Sequence, residues 1–238
     1  MRRGSFVFNG LTSQEINAVI TNWVDVTQPA RNVTLNSSIV GLDRALAVDN
    51  GNYANREFSI TIGIRGNSVI NRDTLLFTLD TGDYLDACFY FDENYNYQII
   101  AYEEIQTTRP VPGLDYREIT IKINAAPFKY LKDVANVNVS GSATLTNPLK
   151  YPAKPLITIN GSGDITLTVN SNVIQLHNVD GQIVLDSGIQ DTYQNKSGTI
   201  YNLNSNMSHS EYPVLKSGEN KISLSTGTAV VEPRWRTR

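Results

Sequence analysis

Leu156-Ile157-Thr158-Ile159-Asn160-Gly161-Ser162-Gly163-Asp164-Ile165-Thr166-Leu167-Thr168-Val169 carries the pattern that decides the fold class. Large apolar residues fall on odd positions, at 157, 159, 165, 167 and 169, and threonines and other polar residues fill most of the positions between. A period of two places such side chains on one face of a sheet and leaves the alternate residues to a solvated face. The same alternation runs through Phe58, Ile60, Ile62 and Ile64, through Ile119, Ile121 and Ile123, and through Val137, Val139, Ala143, Leu145, Ile222 and Leu224. The chain is therefore expected to be all-β.

Turn chemistry agrees. The sequence holds 25 asparagines and 16 glycines, residues that tolerate positive φ. Asn9-Gly10, Asn50-Gly51, Asn160-Gly161 and Asp180-Gly181 are all turn pairs by type. Asp180-Gly181 lies between the apolar segments 174–176 and 183–185, which predicts a two-residue hairpin there. Gly161-Ser162-Gly163 reads as a strand-connecting turn. It is no phosphate-binding loop, because alternation resumes at Ile165 and no helix or Lys-Ser/Thr follows.

Helix signals are few. Thr12 and Glu15 have capping-box spacing, which predicts a short helical turn. Asn71 is the expected N-cap of one short helix over 72–80, with Leu75 and Leu79 on a shared face. Composition changes near 128–136, from a mixed, acidic, tyrosine-rich region to a run of short strands. Two domains are expected, at 1–132 and 133–238, the second a sandwich. Three prolines between Asn147 and Pro155 predict a rigid crossing loop, since proline cannot donate to a central ladder.

Charge and composition exclude several functions. Net charge is −3. Residues 1–130 hold 11 basic and 15 acidic residues (net −4), and 131–238 hold 9 and 8 (net +1). Neither half has the cationic excess that stable nucleic-acid binding requires. The start, Met1-Arg2-Arg3-Gly4-Ser5, leads into no apolar signal core, and no run is long enough to span a bilayer, so a soluble chain without membrane attachment is expected. The single cysteine, Cys88, allows no intrachain disulfide.

No chemistry is apparent either. His177 and His209 are 32 positions apart, and with one cysteine they assemble no common zinc or iron ligand set. No Gly-x-Ser-x-Gly elbow accompanies them. Asp80, Asp83 and Asp86 have the oxygen chemistry of a calcium site but not the EF-hand pattern, and read as a solvated helix end. Glu103 and Glu104 are neighbours on a strand and point to opposite faces, unlike a catalytic pair. Asn-x-Ser/Thr sequons such as those at Asn32, Asn138 and Asn195 read as by-products of a composition rich in these residues. The expectation is a non-enzyme with no catalytic, cofactor-binding or metal-binding residue. The aromatic run Phe89-Tyr90-Phe91, Tyr95, Tyr97 and Tyr102 needs cover on both strand faces. Phe89 and Phe91 are assigned to the core. Tyr95 and Tyr97, beside the turn Asp92-Glu93-Asn94, are the candidate subunit interface.

Several motifs together resemble the distal tail protein family of long-tailed phages, chiefly those of Gram-positive hosts. They are Phe6-Val7-Phe8-Asn9-Gly10, the strand from Ile119 to Ile123 with Pro127-Phe128-Lys129-Tyr130, and Pro155-Leu156 through Ile165. Further on come Asp180-Gly181-Gln182-Ile183 with Tyr193, then Tyr212-Pro213-Val214-Leu215-Lys216-Ser217-Gly218-Glu219-Asn220-Lys221-Ile222, and finally Pro233-Arg234-Trp235-Arg236. The resemblance covers nearly the whole chain except about 25–110. At Asn147-Pro148 it departs from the pattern, which has glycine after the asparagine. It implies an N-terminal sandwich or barrel-like domain that forms a homohexameric ring, a C-terminal galectin-like sandwich, and a place at the tail tip of the virion. The implied partners are the tail tube, tape measure, tail-tip and receptor-binding proteins, and no cofactor is implied. A ring that DNA traverses should not grip phosphate, and the −4 balance of 1–130 is compatible with that. The alternative reading is a carbohydrate-binding adsorption module that recognises cell-wall polysaccharide.

Overall fold

The computed structural model describes residues 1–38, 40–108, 113–208 and 211–238. His209 lies outside the described residues. The chain divides into two compact units, residues 1–129 with Arg238, and residues 130–237. Both are built from strands, with curled sheets and one α-helix among the described residues.

The first unit contains β1 (Phe6–Phe8), β2 (Leu11–Thr12), β3 (Ala18–Ile20), β4 (Arg31–Asn36), β5 (Leu46–Tyr53) and β6 (Arg56–Arg65). After the helix α1 (Ser68–Leu79) come β7 (Leu85–Phe89), β8 (Tyr95–Ile100), β9 (Gln106–Thr107) and β10 (Tyr116–Leu131), whose last two residues fall in the second unit. The main sheet runs β2-β1-β7-β8-β10-β6-β3, and β9 also pairs with β10. The predicted alternation becomes cross-strand contact in the β6/β10 ladder, where Ile62 faces Ile119, Ile60 faces Ile121 and Phe58 faces Ile123. All six side chains are buried, each contributing roughly 1.5–3 kcal/mol relative to an exposed position. Asn9 and Gly10 form a two-residue turn with φ of +45° and +87°, and Phe8 pairs with Leu11 across it.

The helix begins four residues before the expected start. Its N-cap is Asn67, not Asn71, and the Asn67 side chain makes no capping bond. The capping acceptor comes from elsewhere: the Asp115 carboxylate accepts the Ser68 N–H at 3.0 Å. Asn71 instead donates to the Gly66 carbonyl at 2.8 Å. Leu75 and Leu79 share the buried face, as their spacing predicts. At Thr12 the capping-box bonds form, with Glu15 accepting from the Thr12 N–H and hydroxyl at 2.7 Å each. These bonds hold the Glu15 carboxyl below its usual range, but the segment is a turn and no helix follows.

The second unit contains β11 (Val137–Asn147), β12 (Leu156–Val169), β13 (Asn172–Asp186), β14 (Asp191–Lys196), β15 (Thr199–Asn202), a 3-10 turn (Asn204–Asn206), β16 (Gly218–Glu232) and β17 (Arg236–Thr237). Its sheet runs β11-β16-β12-β13-β14-β15. Two expected turns prove to be bends within strands. Gly161-Ser162-Gly163 lies inside β12 and Asp180-Gly181 inside β13, and the two segments pair with each other, Gly161 opposite Gly181. The actual hairpin joins Val169 to Asn172 through Asn170, at φ +56°. Gly141 in β11 and Gly227 in β16 mark comparable breaks in register. Positive φ at Gly141, Gly163, Gly181 and Gly227 lets four adjacent strands bend along one line.

That bend lets a single sheet close on its own core. Ile157 and Ile159 from one half of β12 share a buried cluster with Ile165, Leu167 and Val169 from the other half. Buried asparagines hold two loops, Asn147 the crossing loop and Asn220 the loop at Lys216–Gly218. Asn147 donates to the Tyr151 carbonyl at 3.0 Å and accepts the Leu149 N–H at 2.9 Å. Asn220, fully buried, accepts the Lys216 N–H at 2.7 Å and donates to the carbonyls of Lys216 and Gly218. The Pro-x-Leu-x-x-Gly-x-Asn segment thus owes its residue types to Leu215 in the core, Gly218 at φ +83° and Asn220 tying the loop.

Candidate assembly surface

Tyr95 and Tyr97 open β8, and the structure separates them. Tyr97 is only 2% exposed, packs edge-on against Phe89 and donates its hydroxyl to Asp92 Oδ2 at 2.6 Å. Burial, reinforced by that carboxylate, raises its phenol well above the usual range. A side chain so enclosed has no surface to offer a neighbouring subunit, so Tyr97 is a core residue of the first unit. The cause is non-local: Arg56 from β6 lies over its ring at 5.4 Å and donates to the Pro127 carbonyl at 2.6 Å. Tyr95 is half-buried, with Lys129 Nζ 4.6 Å from its ring centroid, and Lys129 also pairs with Asp92 at 2.5 Å. Phe89 is fully buried and Phe91 stacks on it at 5.1 Å.

The polar residues singled out by sequence do not converge. Asp80 ends α1, Asp83 accepts the Tyr84 N–H, and Asp86 accepts from Gln98 on the neighbouring strand. Among the described residues no three His, Cys, Asp or Glu side chains gather as a metal site would require. Glu103 pairs with Lys122 at 2.8 Å, and Lys122 also reaches Glu57 at 3.1 Å. His177 Nδ1 lies 3.5 Å from Asp164 Oδ2 on an exposed stretch of strand. Cys88 is buried. No described helix is long and apolar enough to cross a membrane.

What stands out instead is apolar surface, and it is concentrated in the first unit. Among the described residues, fifteen large exposed hydrophobic side chains lie there and five in the second unit. Sequence reading missed the most distinctive group. Among the described strands, β4 and β5 pair only with each other, with Leu35 opposite Ala47 and Thr34 opposite Val48. Val33, Leu35, Leu46 and Val48 are 41–68% exposed along this ribbon. Asn50-Gly51, expected as a turn, lies inside β5. Elsewhere, Phe77 on α1 is 84% exposed and Tyr102 is 62% exposed. They line a groove of about 530 Å³ with Leu76, Leu79, Ile100 and Ile105, and with the acidic Asp80 and Glu103. In the second unit Trp235 is 6% exposed and belongs to the core, and Tyr201 is the one tyrosine there that is half exposed.

No protein-family model matches the chain, and no curated protein matches it. Solved structures do. The Dit (gp 19.1) protein of phage SPP1, described as a paradigm of hub adsorption apparatus in phages infecting Gram-positive hosts, aligns with a TM-score of 0.66. The alignment covers 95% of this chain and 96% of that one at 12% identity. The chain has the fold of a phage tail hub protein. Two structures of the phage p2 baseplate in its activated conformation share the same architecture. The calcium form aligns at TM-score 0.53 and 10% identity over 97% of this chain and 98% of that one. The strontium form aligns at 0.56 and 8% over 96% and 97%. The expected likeness to distal tail proteins is thus found in the fold, and it runs through both units.

Proposed function

We propose that this chain is a structural subunit of a phage tail tip: a distal tail protein whose first unit assembles a hexameric ring. That ring links the tail tube and tape measure to the tail-tip and receptor-binding proteins. The observation that carries the reading is the end-to-end match to a hub protein, with 95% of this chain and 96% of the SPP1 chain aligned.

The distribution of surface supports the same reading. A monomer rarely leaves large contiguous apolar patches in water, and such patches mark interaction sites. The first unit carries most of the exposed hydrophobic residues, and the ribbon β4–β5 is too small to be stable alone. The reading requires no catalysis, cofactor or metal, and its working site is interface. The second unit, with the galectin-like sandwich that the resemblance implies, serves as a docking body. A free carbohydrate-binding module would present an aromatic platform, whereas Trp235 is in the core. Light scattering of the purified chain over a range of concentrations tests the proposal: a six-copy species supports it. Binding of cell-wall glycans by the monomer, with no assembly, favours the adsorption-module alternative.

A further inference from the structure

Helix α1 is apolar on two sides. Leu75 and Leu79 face the first unit's core, while Ile70 and Phe77 stand mostly in solvent. Ile70 and Phe77 are seven residues apart, about two turns, so they share one outer face. Phe77 also borders the groove that Leu76, Ile100, Tyr102 and Ile105 line, so the stripe runs from the helix into a concave surface. A cleft of about 530 Å³ has the size of an ordinary binding site and takes a few side chains rather than a body of structure.

The charge beside this surface has one sign. Glu103 is held by Lys122 at 2.8 Å. Asp80, which lines the groove, has no lysine or arginine within ion-pair distance among the described residues. The same holds for Asp83 and Glu104, the exposed neighbours in sequence of the lining residues Gly82 and Glu103. Three uncompensated carboxylates thus adjoin an apolar floor. Complementary potential selects a cationic partner and rejects an acidic one. The backbone narrows the choice further. Strand β8, which ends at Ile100, lies between β7 and β10 and offers no open edge for an added strand. Contact here is made through side chains, as when the apolar stripe of a helix lies in a groove.

We infer that this groove docks an amphipathic helix of another tail protein, one that carries lysine or arginine beside its apolar stripe. This rests on the tail-hub reading above, which supplies the neighbouring proteins, and names the surface that one of them uses. The apolar stripe enters the groove against Leu76, Ile100 and Ile105, and the cations face Asp80, Asp83 and Glu104. Covering Phe77 and Tyr102 removes on the order of 250 Å² of aromatic surface from water, and exposed aromatics are the residue type that anchors interfaces.

The test uses the full chain and two fluorescent peptides of about 20 residues, long enough to be helical in water. Both carry leucines at helical spacing, one with lysines beside the stripe and the other with glutamates. Fluorescence anisotropy is expected to show saturable one-to-one binding of the lysine peptide and none of the glutamate peptide. Phe77→Ser should weaken binding at least ~30-fold, and Asp80→Asn about threefold. Trp23→Ser, at an exposed tryptophan outside the groove lining, should leave it unchanged. No binding of the lysine peptide, equal binding of both peptides, or binding indifferent to Phe77→Ser would overturn the inference. Light scattering on the same samples keeps the two readings apart. Binding that disappears as the chain assembles would mean that a neighbouring copy fills the groove, which overturns the inference and leaves the ring reading intact. A chain that never assembles, yet binds the lysine peptide through Phe77 and Asp80, would support the groove's chemistry and overturn the ring reading alone.

Discussion

Gly227 approaches the backbone of Asn160 so closely that no side chain fits between them. A Cβ at Gly227 would lie 2.5 Å from the Asn160 carbonyl oxygen, and the residue holds φ at +79°. This contact lies on the line where the second unit's strands bend. Gly227→Ala therefore meets both left-handed strain and overpacking and is expected to cost about 2–4 kcal/mol. Gly181→Ala, at φ +78° with open space around it, should cost only about 1–2 kcal/mol. Urea unfolding of the two variants checks the ordering. Equal losses would mean that the close approach to Asn160 is not what fixes the bend.

Trp235 offers a second test. It is 6% exposed in the second unit's core, and its carbonyl accepts the Leu131 N–H at 2.8 Å. Trp235→Ala should destabilise the protein by about 3–5 kcal/mol, and deletion of 233–238 should lower the melting temperature. A melting temperature unchanged by either would show that the tryptophan is not part of the core.

The two tyrosines of β8 should behave differently. Tyr97→Ser removes a buried ring and leaves Asp92 without its phenol donor, for a loss of about 3–5 kcal/mol. Tyr95→Ser, at a half-buried position, should cost about 1 kcal/mol or less. Circular dichroism melts of the single variants separate them. If Tyr97→Ser leaves stability intact while blocking assembly, Tyr97 faces another subunit after all.

The Asp115 cap predicts a pH dependence. Its carboxyl is held below the ordinary value of 3.8, first by the Ser68 side chain and then by the Ser68 N–H. A lowered folded-state pKa stabilises the fold above 3.8, and that contribution disappears as pH falls through the lowered value. Asp115→Ala should therefore reduce the melting temperature near neutrality, and the gap to the unmodified chain should narrow in acid. A gap independent of pH would mean that the charge plays no part in capping α1.

The sequence revealed what local pattern controls and concealed what distant partners decide. Alternation correctly placed Ile60, Ile62, Ile119 and Ile121 in one core, because a strand's faces follow from its own period. It could not distinguish a hairpin at Asp180-Gly181 from a mid-strand bend, since both need glycine at positive φ. The choice is made by the pairing of Gly181 with Gly161, set by the register of the whole β12–β13 ladder. The start of α1 was misplaced because its cap comes from Asp115, 47 residues from Ser68. Tyr97 looked exposed because it follows a polar turn, and Arg56 and Asp92 enclose it. The ribbon β4–β5 carries mixed polar and apolar residues without a clean period, as expected of a ribbon whose two faces both carry apolar side chains.

The central claim concerns where the chain works. Imaging of intact phage tails with a gold-conjugated antibody against this chain, followed by averaging of the tail end, tests it most directly. The account predicts label confined to a six-fold ring at the distal tip of the tail. Label along the tube, at the head, or absent from purified virions would contradict it.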